Sequence, residues 1–169
     1  MTTRSTHLLD RLESHRAEVA VRLDALPEEV VHAAPSPGAW SLAQIADHLV
    51  RIDEKVRPEG PTPSRLVRLT SRARGSLMAG VISLPVRFPM PPNVRGIRPD
   101  AAPRWPDIRD RWAEMRRRWH AADPPDATVA FRHPIVGPLA WPDTLAFLLA
   151  HHRHHDAQIE RTLRALGHA

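Results

Sequence analysis

Four histidines lie within five positions near the C-terminal end of the sequence, in the segment AHHRHHD. With a rotation of about 100° per residue along a helix, His155 falls in the middle of an apolar face. His151 and His152 flank that face, whereas His154 points toward solvent. The pair His151 and His155 has the i, i+4 spacing at which two imidazoles can reach one metal ion, and His152 with His155 is the i, i+3 alternative.

A further histidine, His48, lies within the apolar helical pattern of the segment AWSLAQIADHLVRID. It follows Ile45 by three positions and precedes Ile52 by four, so these residues share the inner face of a helix. If the two helices face each other, His48, His151 and His155 form a site with three protein ligands, which leaves coordination positions open for water or substrate. The alternatives are a hydrogen-bonded core histidine at position 48 and a histidine-rich surface on the later helix.

Polar side chains within one helical turn of these histidines could orient them through hydrogen bonds. The candidates are Gln44, Asp47, Asp156 and Gln158. Each is also explained as a helix cap or a solvated surface residue. No carboxylate is placed well enough to be a general base, so the sequence predicts no catalytic residue. His15 falls near the inner face of the first helix and is interpreted as structural.

Four segments with helical periodicity must position these residues. They cover roughly residues 5–26, 41–57, 106–125 and 141–165. Ser41, followed by Gln44 three positions later, is typical of a capping box at the start of the second helix. The third helix carries an apolar stripe, Ile108, Trp112, Met115 and Trp119. A stripe at this spacing indicates a core-facing helix. The four helices together predict an all-α four-helix bundle.

The connection between the second and third helices, residues 57–106, is long and rich in proline. Within it, residues 64–79 could form an amphipathic helix whose inward residues are Leu66, Leu69, Ala73 and Leu77. Arginines near 65–74 and 95–104 could hold an anionic cosubstrate or form a solvated edge. The segment 133–142 is interpreted as a turn-rich approach to the last helix, and no strand is predicted.

Composition excludes several classes of protein. The 169 residues favour one domain, 1–169, and the absence of cysteine excludes disulfides, thiolate nucleophiles and cysteine metal sites. No apolar run is long enough to span a membrane, and the first residues predict a helix instead of a signal peptide, so we expect a cytoplasmic protein. Lys55 is the only lysine among the 24 basic residues. That arginine bias is typical of GC-rich coding, so the net charge of +5 does not indicate a specific nucleic-acid partner.

Two motifs resemble the DinB-like superfamily, which contains DNA-damage-inducible proteins and thiol S-transferase relatives. The segment AWSLAQIADHL is similar to the family's Trp-Ser and His-Leu element. The segment FRHPIVGPLAWPDTLAFLLAHHRHHDAQI is similar to its later element, with His-Pro, Gly, an apolar helix and His-x-x-x-His followed by Gln-Ile. RFPMPPNVRG also resembles the proline-rich loop of some members. The resemblance spans nearly the whole chain, in matching order and spacing.

The resemblance implies a four-helix bundle with up-down-down-up topology and a divalent metal ion held by His48, His151 and His155. The ions that the resemblance implies are nickel, zinc or manganese. Neutral imidazole ligands alone do not select one of these ions. It implies a homodimer and an enzyme that transfers a low-molecular-weight thiol to a small electrophile. A metal-dependent hydrolase of the same fold and a non-catalytic metal-binding scaffold protein are the alternatives. The expected partner is a small-molecule substrate.

Overall fold

The computed structural model of the chain describes residues 2–82 and 95–168. In chain order its elements are α1 (Thr3–Asp24), α2 (Glu28–His32), α3 (Leu42–Asp53), α4 (Arg65–Ile82), a 3-10 turn (Arg95–Ile97), α5 (Trp105–Ala122), β1 (Val129–His133), β2 (Gly137–Ala140) and α6 (Trp141–Ala165). The protein is therefore mostly helical, with one small two-stranded sheet. Much of the proline-rich sequence predicted to connect the second and third helices, residues 83–94, lies outside the described residues.

The start of α3 is fixed by the capping box that the sequence predicted. The Ser41 hydroxyl accepts a hydrogen bond from the Gln44 backbone N–H at 3.2 Å, and the Gln44 side-chain oxygen accepts one from the Ser41 N–H at 3.0 Å. These bonds satisfy two backbone donors that a helix start leaves without partners. The helix therefore begins at a defined residue, which sets the direction in which its later side chains point.

Both ends of α6 are also fixed by local sequence. Pro142 stands in the first turn, where its missing N–H costs nothing. At the other end Gly167 adopts a φ of 78°, and the N–H of His168 donates to the Leu163 carbonyl at 2.9 Å. This is a Schellman motif, which ends a helix at a residue free to adopt positive φ. The longest helix thus runs as the sequence predicted.

Buried apolar side chains form two clusters. One joins α1, α2, α3, α5 and α6 and contains, among others, Leu23, Leu49, Ile108, Trp112, Met115, Ile159 and Leu163. The other joins α1, α3, α4, α5, α6 and the sheet and contains, among others, Leu12, Trp119, Phe131, Leu139, Trp141, Leu145 and Leu148. The predicted stripe of α5 is buried at all four positions. None of the helices in the described ranges combines the length and apolar character needed to cross a membrane.

The helix predicted at 64–79 is present as α4, but its predicted inward face is wrong. Leu66 and Leu77 are 67% and 62% exposed, and Ala73 is exposed; the side chain of Leu69 lies outside the description. The buried positions are instead Ser71, Gly75 and Met78. Small residues let α4 approach α6 closely, because a Cβ on Gly75 would lie 2.9 Å from the Cβ of Asp143. A search for large apolar residues cannot detect this kind of contact.

The prediction of no strand is also wrong. β1 and β2 form an antiparallel hairpin in which Phe131 pairs with Leu139 and His133 with Gly137, and Gly137 has a φ of 78°. The pattern was missed because the strands are short and one of them contains Pro138. Val129, Phe131 and Leu139 are buried, so the hairpin covers the core between α4 and α6.

Candidate metal centre

His48 on α3 lies against His151 and His155 on α6. The ring centroids are 5.3 Å apart for His48 and His151, 5.0 Å for His48 and His155, and 4.8 Å for His151 and His155. One ligand nitrogen of each ring lies within 4.8 Å of those of the other two. The structure therefore brings together the three histidines whose spacing placed them on facing helix surfaces.

Apolar residues on the same helix faces hold these imidazoles inside the protein. Ile45 and Ile52 are buried on α3, and Leu148 and Ile159 are buried on α6. The histidines interrupt these apolar stripes, so their ring nitrogens have little access to water. Each buried polar group without a hydrogen-bond partner destabilises a protein by about 1–3 kcal/mol. The partners of each ring nitrogen therefore decide what the cluster can do.

Two of the three rings are fixed by a hydrogen bond at Nδ1. The Nδ1–H of His48 donates to the Ile97 carbonyl at 2.7 Å, and the Nδ1–H of His155 donates to the Gln158 side-chain oxygen at 2.8 Å. Because a neutral imidazole carries one hydrogen, the Nε2 atoms of His48 and His155 then carry lone pairs. This arrangement of an acceptor behind the ligand nitrogen is the usual one for metal-binding histidines.

The donor set of the cluster fits a cation. The Nε2 atoms of His151 and His155 are 3.1 Å apart, and the buried Nδ1 of His151 has no hydrogen-bond partner among the described residues. The Nε2 of His155 thus accepts a hydrogen bond from the Nε2–H of His151, and a metal ion bound to both nitrogens would replace that bond. Three imidazoles from two helices supply nitrogen ligands of the kind that zinc, nickel and copper prefer.

All three imidazoles are held in the neutral form that can bind a metal ion. Burial lowers the pKa of His48 below its usual value of 6.5. Burial, together with the neighbouring His155, lowers the pKa of His151 far below that value. Burial and the neighbouring His48 lower the pKa of His155 to about 3. At neutral pH none of the three rings is an imidazolium that must first lose its charge before a cation binds.

Of the four candidate orienting residues, Gln158 is the one that contacts a site histidine through its side chain. Gln44 caps α3 and donates to the backbone carbonyls of Asp100 and Ala101, both at 3.1 Å. Asp156 accepts a hydrogen bond from His15 at 2.9 Å.

Asp47, the remaining candidate, is fully buried and pairs with Arg51 and Arg111 at 2.7 Å and 2.6 Å. Burial would raise the pKa of its carboxyl, but the hydrogen bonds of Arg51, of the Asp100 N–H and of Arg111 bring it below its usual value. The structure thus gives Gln44, Asp47 and Asp156 roles in holding helices and loops together.

Sequence reasoning missed the group that fixes His48. The acceptor is the backbone carbonyl of Ile97, in the 3-10 turn of a segment that was predicted to be irregular. A backbone carbonyl has no side-chain signature, so the residue type at 97 could not reveal it. Two aromatic neighbours of the site were also missed. Trp40 contacts His48 at a centroid distance of 5.1 Å, and Phe147 contacts His151 at 5.9 Å.

His152, the alternative partner of His155, belongs to a different group of residues. Its Nε2 lies 3.1 Å from the Asp53 carboxylate, which also pairs with Arg16 at 2.7 Å and accepts a hydrogen bond from Trp112 at 3.2 Å. Burial would raise the pKa of Asp53, but Arg16 and His152 bring it below its usual value. This buried ion network joins α1, α3, α5 and α6 and excludes His152 from the cluster.

A cavity of about 1460 Å³ opens beside the three histidines and reaches the hairpin. His154 was predicted to point to solvent, but it is half-buried, lines this cavity and lies 5.5 Å from the His155 ring. His133, the histidine of the His-Pro element in the later sequence motif, also lines it. Its Nδ1 accepts from the N–H groups of Ile135 and Val136 at 3.2 Å and 3.3 Å. Its hydrogen is therefore on Nε2.

The fold and the cluster define a mostly helical protein with a candidate three-histidine metal site between two facing helices. The family model of the DinB superfamily matches residues 11–159 of the chain. Because the match covers most of its length, the protein belongs to the DinB superfamily, as the two sequence motifs indicated. No curated protein and no solved structure matches the chain significantly.

Proposed function

We propose that the protein is a metal-dependent enzyme in which His48, His151 and His155 bind one divalent ion. The observation that carries this proposal is the convergence of three neutral imidazoles, two buried and one half-buried, beside a cavity large enough for a small molecule. Ile97 and Gln158 support it, because their oxygens turn two of the rings so that Nε2 is free. Zinc, nickel and manganese are the candidate ions.

The number of protein ligands favours catalysis over a purely structural site. Structural zinc sites use four protein ligands, whereas catalytic sites use three and leave a position for water or substrate. When bound, the ion would act as a Lewis acid and lower the pKa of a thiol or a water molecule that occupies an open position. The chain's own part is to hold three neutral imidazoles in place and to exclude water from their far sides.

The reaction proposed is the transfer of a low-molecular-weight thiol to a small electrophile. The chain has no cysteine, so a thiol nucleophile must come from a cosubstrate. The cavity extends from the cluster along Phe147 to the hairpin, which leaves room for two small reactants. A hydrolase would use water in place of the thiol, and a scaffold protein would use the ion only to join α3 and α6.

We also propose that α1, α3, α5 and α6 form a four-helix bundle with up-down-down-up topology. Membership of the DinB superfamily and the long segment between α3 and α5 support this arrangement. We further propose a cytoplasmic homodimer that acts on a small molecule and binds no specific nucleic acid. Arginines of α5 support the last point, because several pair with carboxylates: Arg109 with Asp24, Arg111 with Glu54, Arg116 with Glu13 and Arg117 with Glu114.

Metal content tests the site. Untagged protein, purified without chelator and without a nickel column, should carry about one equivalent of a transition metal by elemental analysis. His151→Ala should lose the metal, because the two remaining histidine ligands bind a cation more weakly than three. His154→Ala is the matched control on the same helix and should retain it. A His151→Ala protein with as much metal as the parent would show that the site is wrong.

Thiol consumption tests the reaction. Metal-loaded protein is mixed with low-molecular-weight thiols and a panel of small electrophiles, and free thiol is followed over time. Loss of thiol that depends on the metal and on His155 supports transfer. Cleavage of an ester in the panel without loss of thiol would favour the hydrolase. If the metal site is fully loaded and neither reaction occurs, the result would favour the scaffold protein.

A further inference from the structure

The charged residues that line the cavity are all cations. Within the described part of the chain they are Lys55, Arg57, Arg132 and Arg161, and no aspartate or glutamate is among the lining residues. The arginines near 65–74 and 95–104, for which an anion site and a solvated edge were the two alternatives, contribute no described side chain to this lining. The cations that face the cavity therefore come from other elements than the sequence indicated.

Lys55 stands out among these four cations. It is the only lysine in a chain that otherwise uses arginine, and it follows His48 by seven positions. Lys55 lies in the turn that follows α3, which ends at Asp53, and both Lys55 and His48 line the cavity. A Cβ built on Gly96 would meet the Lys55 ammonium at 2.9 Å. The 3-10 turn that fixes His48 through Ile97 thus also lies under the lysine.

The carboxylates nearest to Lys55 in sequence are engaged elsewhere. Asp53 pairs with Arg16, and Glu54 accepts two hydrogen bonds from Arg111, both at 2.7 Å. Among the described residues no carboxylate forms an ion pair with the Lys55 ammonium. An exposed cation beside an apolar cavity, with its neighbouring acids neutralised by arginines, leaves a positive charge for a ligand to match.

The rest of the cavity wall near the histidines is apolar. Phe147 and Phe131 stack with centroids 5.4 Å apart, and Met78 and Ile82 line the same space from α4. Such a wall favours a ligand whose body is hydrocarbon or aromatic, because its burial removes apolar surface from water. The apolar wall therefore suits the body of a ligand, and the cationic side chains of the lining suit an anionic group on it.

We propose that the cavity takes an elongated, largely apolar small molecule with one anionic group, whose anion binds Lys55 while its reactive end lies at the histidine cluster. This inference rests on the proposed function, because it assigns the substrate class of the same site. It requires a ligand that reaches from the histidine cluster to the Lys55 ammonium beside Gly96. Arg57 is explained differently, since its guanidinium donates to the carbonyls of Glu54 and Val56 at the end of α3.

A matched pair of fluorescent probes tests the proposal. 8-Anilinonaphthalene-1-sulfonate carries an anion on an aromatic body, and N-phenyl-1-naphthylamine has the same body without the sulfonate. Both are titrated, with and without added zinc, against the parent protein, Lys55→Met and Lys55→Arg. We expect Lys55→Met to weaken the sulfonate probe roughly fivefold to tenfold, as loss of one charge-assisted contact would, and Lys55→Arg to retain most of its affinity. The neutral probe should bind all three proteins alike.

The control for charge is Arg11→Met, which removes an exposed cation of α1 outside the cavity and should leave both probes unchanged. Equal affinity of the sulfonate probe for parent and Lys55→Met would overturn the proposal, and so would an equal loss for both probes. A rival role for Lys55, interaction with the carbonyl end of α3, predicts a lower melting temperature of Lys55→Met without a change in probe affinity.

Two carboxylates identify which reactant carries the anion. Hexanoate and 6-mercaptohexanoate are used to displace the sulfonate probe from zinc-loaded protein. Tighter displacement by the mercapto acid assigns the anion to the thiol, and equal displacement assigns it to the electrophile; displacement by neither overturns the proposal. Zinc affinity is measured in the same samples. Probe discrimination without zinc binding would refute the proposed function alone, whereas zinc binding without discrimination would refute this inference alone.

Discussion

Gln158 shows how one side chain can orient a site histidine from within the same helix. It lies three positions after His155, close to one turn along α6, and its oxygen accepts the Nδ1–H of that ring at 2.8 Å. The bond fixes which nitrogen of His155 carries the hydrogen and limits rotation of the ring. The side-chain conformation of Gln158 thereby determines how the His155 ring is oriented toward a metal ion.

Replacement of Gln158 should weaken metal binding without abolishing it. In Gln158→Ala the Nδ1–H of His155 loses its acceptor and the ring can rotate, so we expect the zinc dissociation constant to rise roughly tenfold to a hundredfold. Competition with a chromophoric chelator at pH 7 measures it. Asp156→Asn alters a neighbouring carboxylate that contacts His15 and should bind zinc like the parent. Equal zinc affinity of Gln158→Ala and the parent would remove this role.

The sequence predicted which histidines lie close together better than it predicted their hydrogen-bond partners. Helical periodicity alone placed His48, His151 and His155 on facing surfaces, because i, i+3 and i, i+4 spacing defines a helix face. It could not distinguish Gln158 from Asp156, since both lie within a turn of the histidines. Their partners depend on the packing of α6 against α1, which supplies His15 to Asp156. Side-chain partners between helices require knowledge of which helices meet.

At the scale of elements, the contact of α4 with α6 depends on the absence of a side chain. Gly75 lies over Asp143, whose carboxylate accepts a hydrogen bond from the Ser71 hydroxyl at 2.7 Å. Ser71 in turn accepts a hydrogen bond from the Ala140 N–H at 2.8 Å, where the hairpin joins α6. Helix α4 is therefore attached to the start of α6 by polar bonds that need a close approach of the two backbones.

Substitution of the two glycines of α4 should have opposite effects on stability. Gly75→Ala places a Cβ at 2.9 Å from Asp143, so the helices must separate and the free energy of unfolding should fall by about 1–3 kcal/mol. A Cβ on Gly80 would meet no atom of the described residues within 4 Å, so Gly80→Ala should be neutral or stabilise the protein by about 0.5–1 kcal/mol. Urea unfolding measures both. Comparable effects of the two substitutions would contradict a tight contact at Gly75.

The elements that the sequence predicted well are those with local signals. The capping box of α3, the apolar stripe of α5 and the ends of α6 are encoded within a few residues of each other, and all are present. The hairpin depends on pairing between short strands across a turn, with Pro138 in one of them, so its signal is weak. The inward face of α4 depends on small residues, which periodicity of large apolar residues does not register.

At the scale of the whole molecule, burial of ionisable groups makes folding depend on pH. The unfolded chain has a histidine pKa of about 6.5, whereas burial and the neighbouring His48 bring the pKa of His155 in the fold to about 3. Between these values the unfolded state binds a proton that the folded state excludes. The free energy of unfolding therefore falls as the pH falls through this window, and the stabilisation is fully present only above it.

Metal-free protein should show this dependence in urea unfolding at pH 7, 6 and 5. Well inside the window His155 alone contributes a slope of about 1.4 kcal/mol per pH unit, and the lowered pKa values of His48 and His151 act in the same direction. His155→Gln should give a shallower slope. His168→Gln, at an exposed position, is the control and should match the parent. Equal slopes for His155→Gln and the parent would contradict the burial argument.

The lone lysine at the cavity rim has a consequence for chemical labelling. Apart from an α-amino group, Lys55 is the one primary amine in the chain, so an acylating reagent has a single side-chain target. That target lines the same cavity as His48. An isotopic or fluorescent tag can therefore be attached beside the proposed reaction site without any mutation. The rate of its attachment would then report directly whether the cavity is filled.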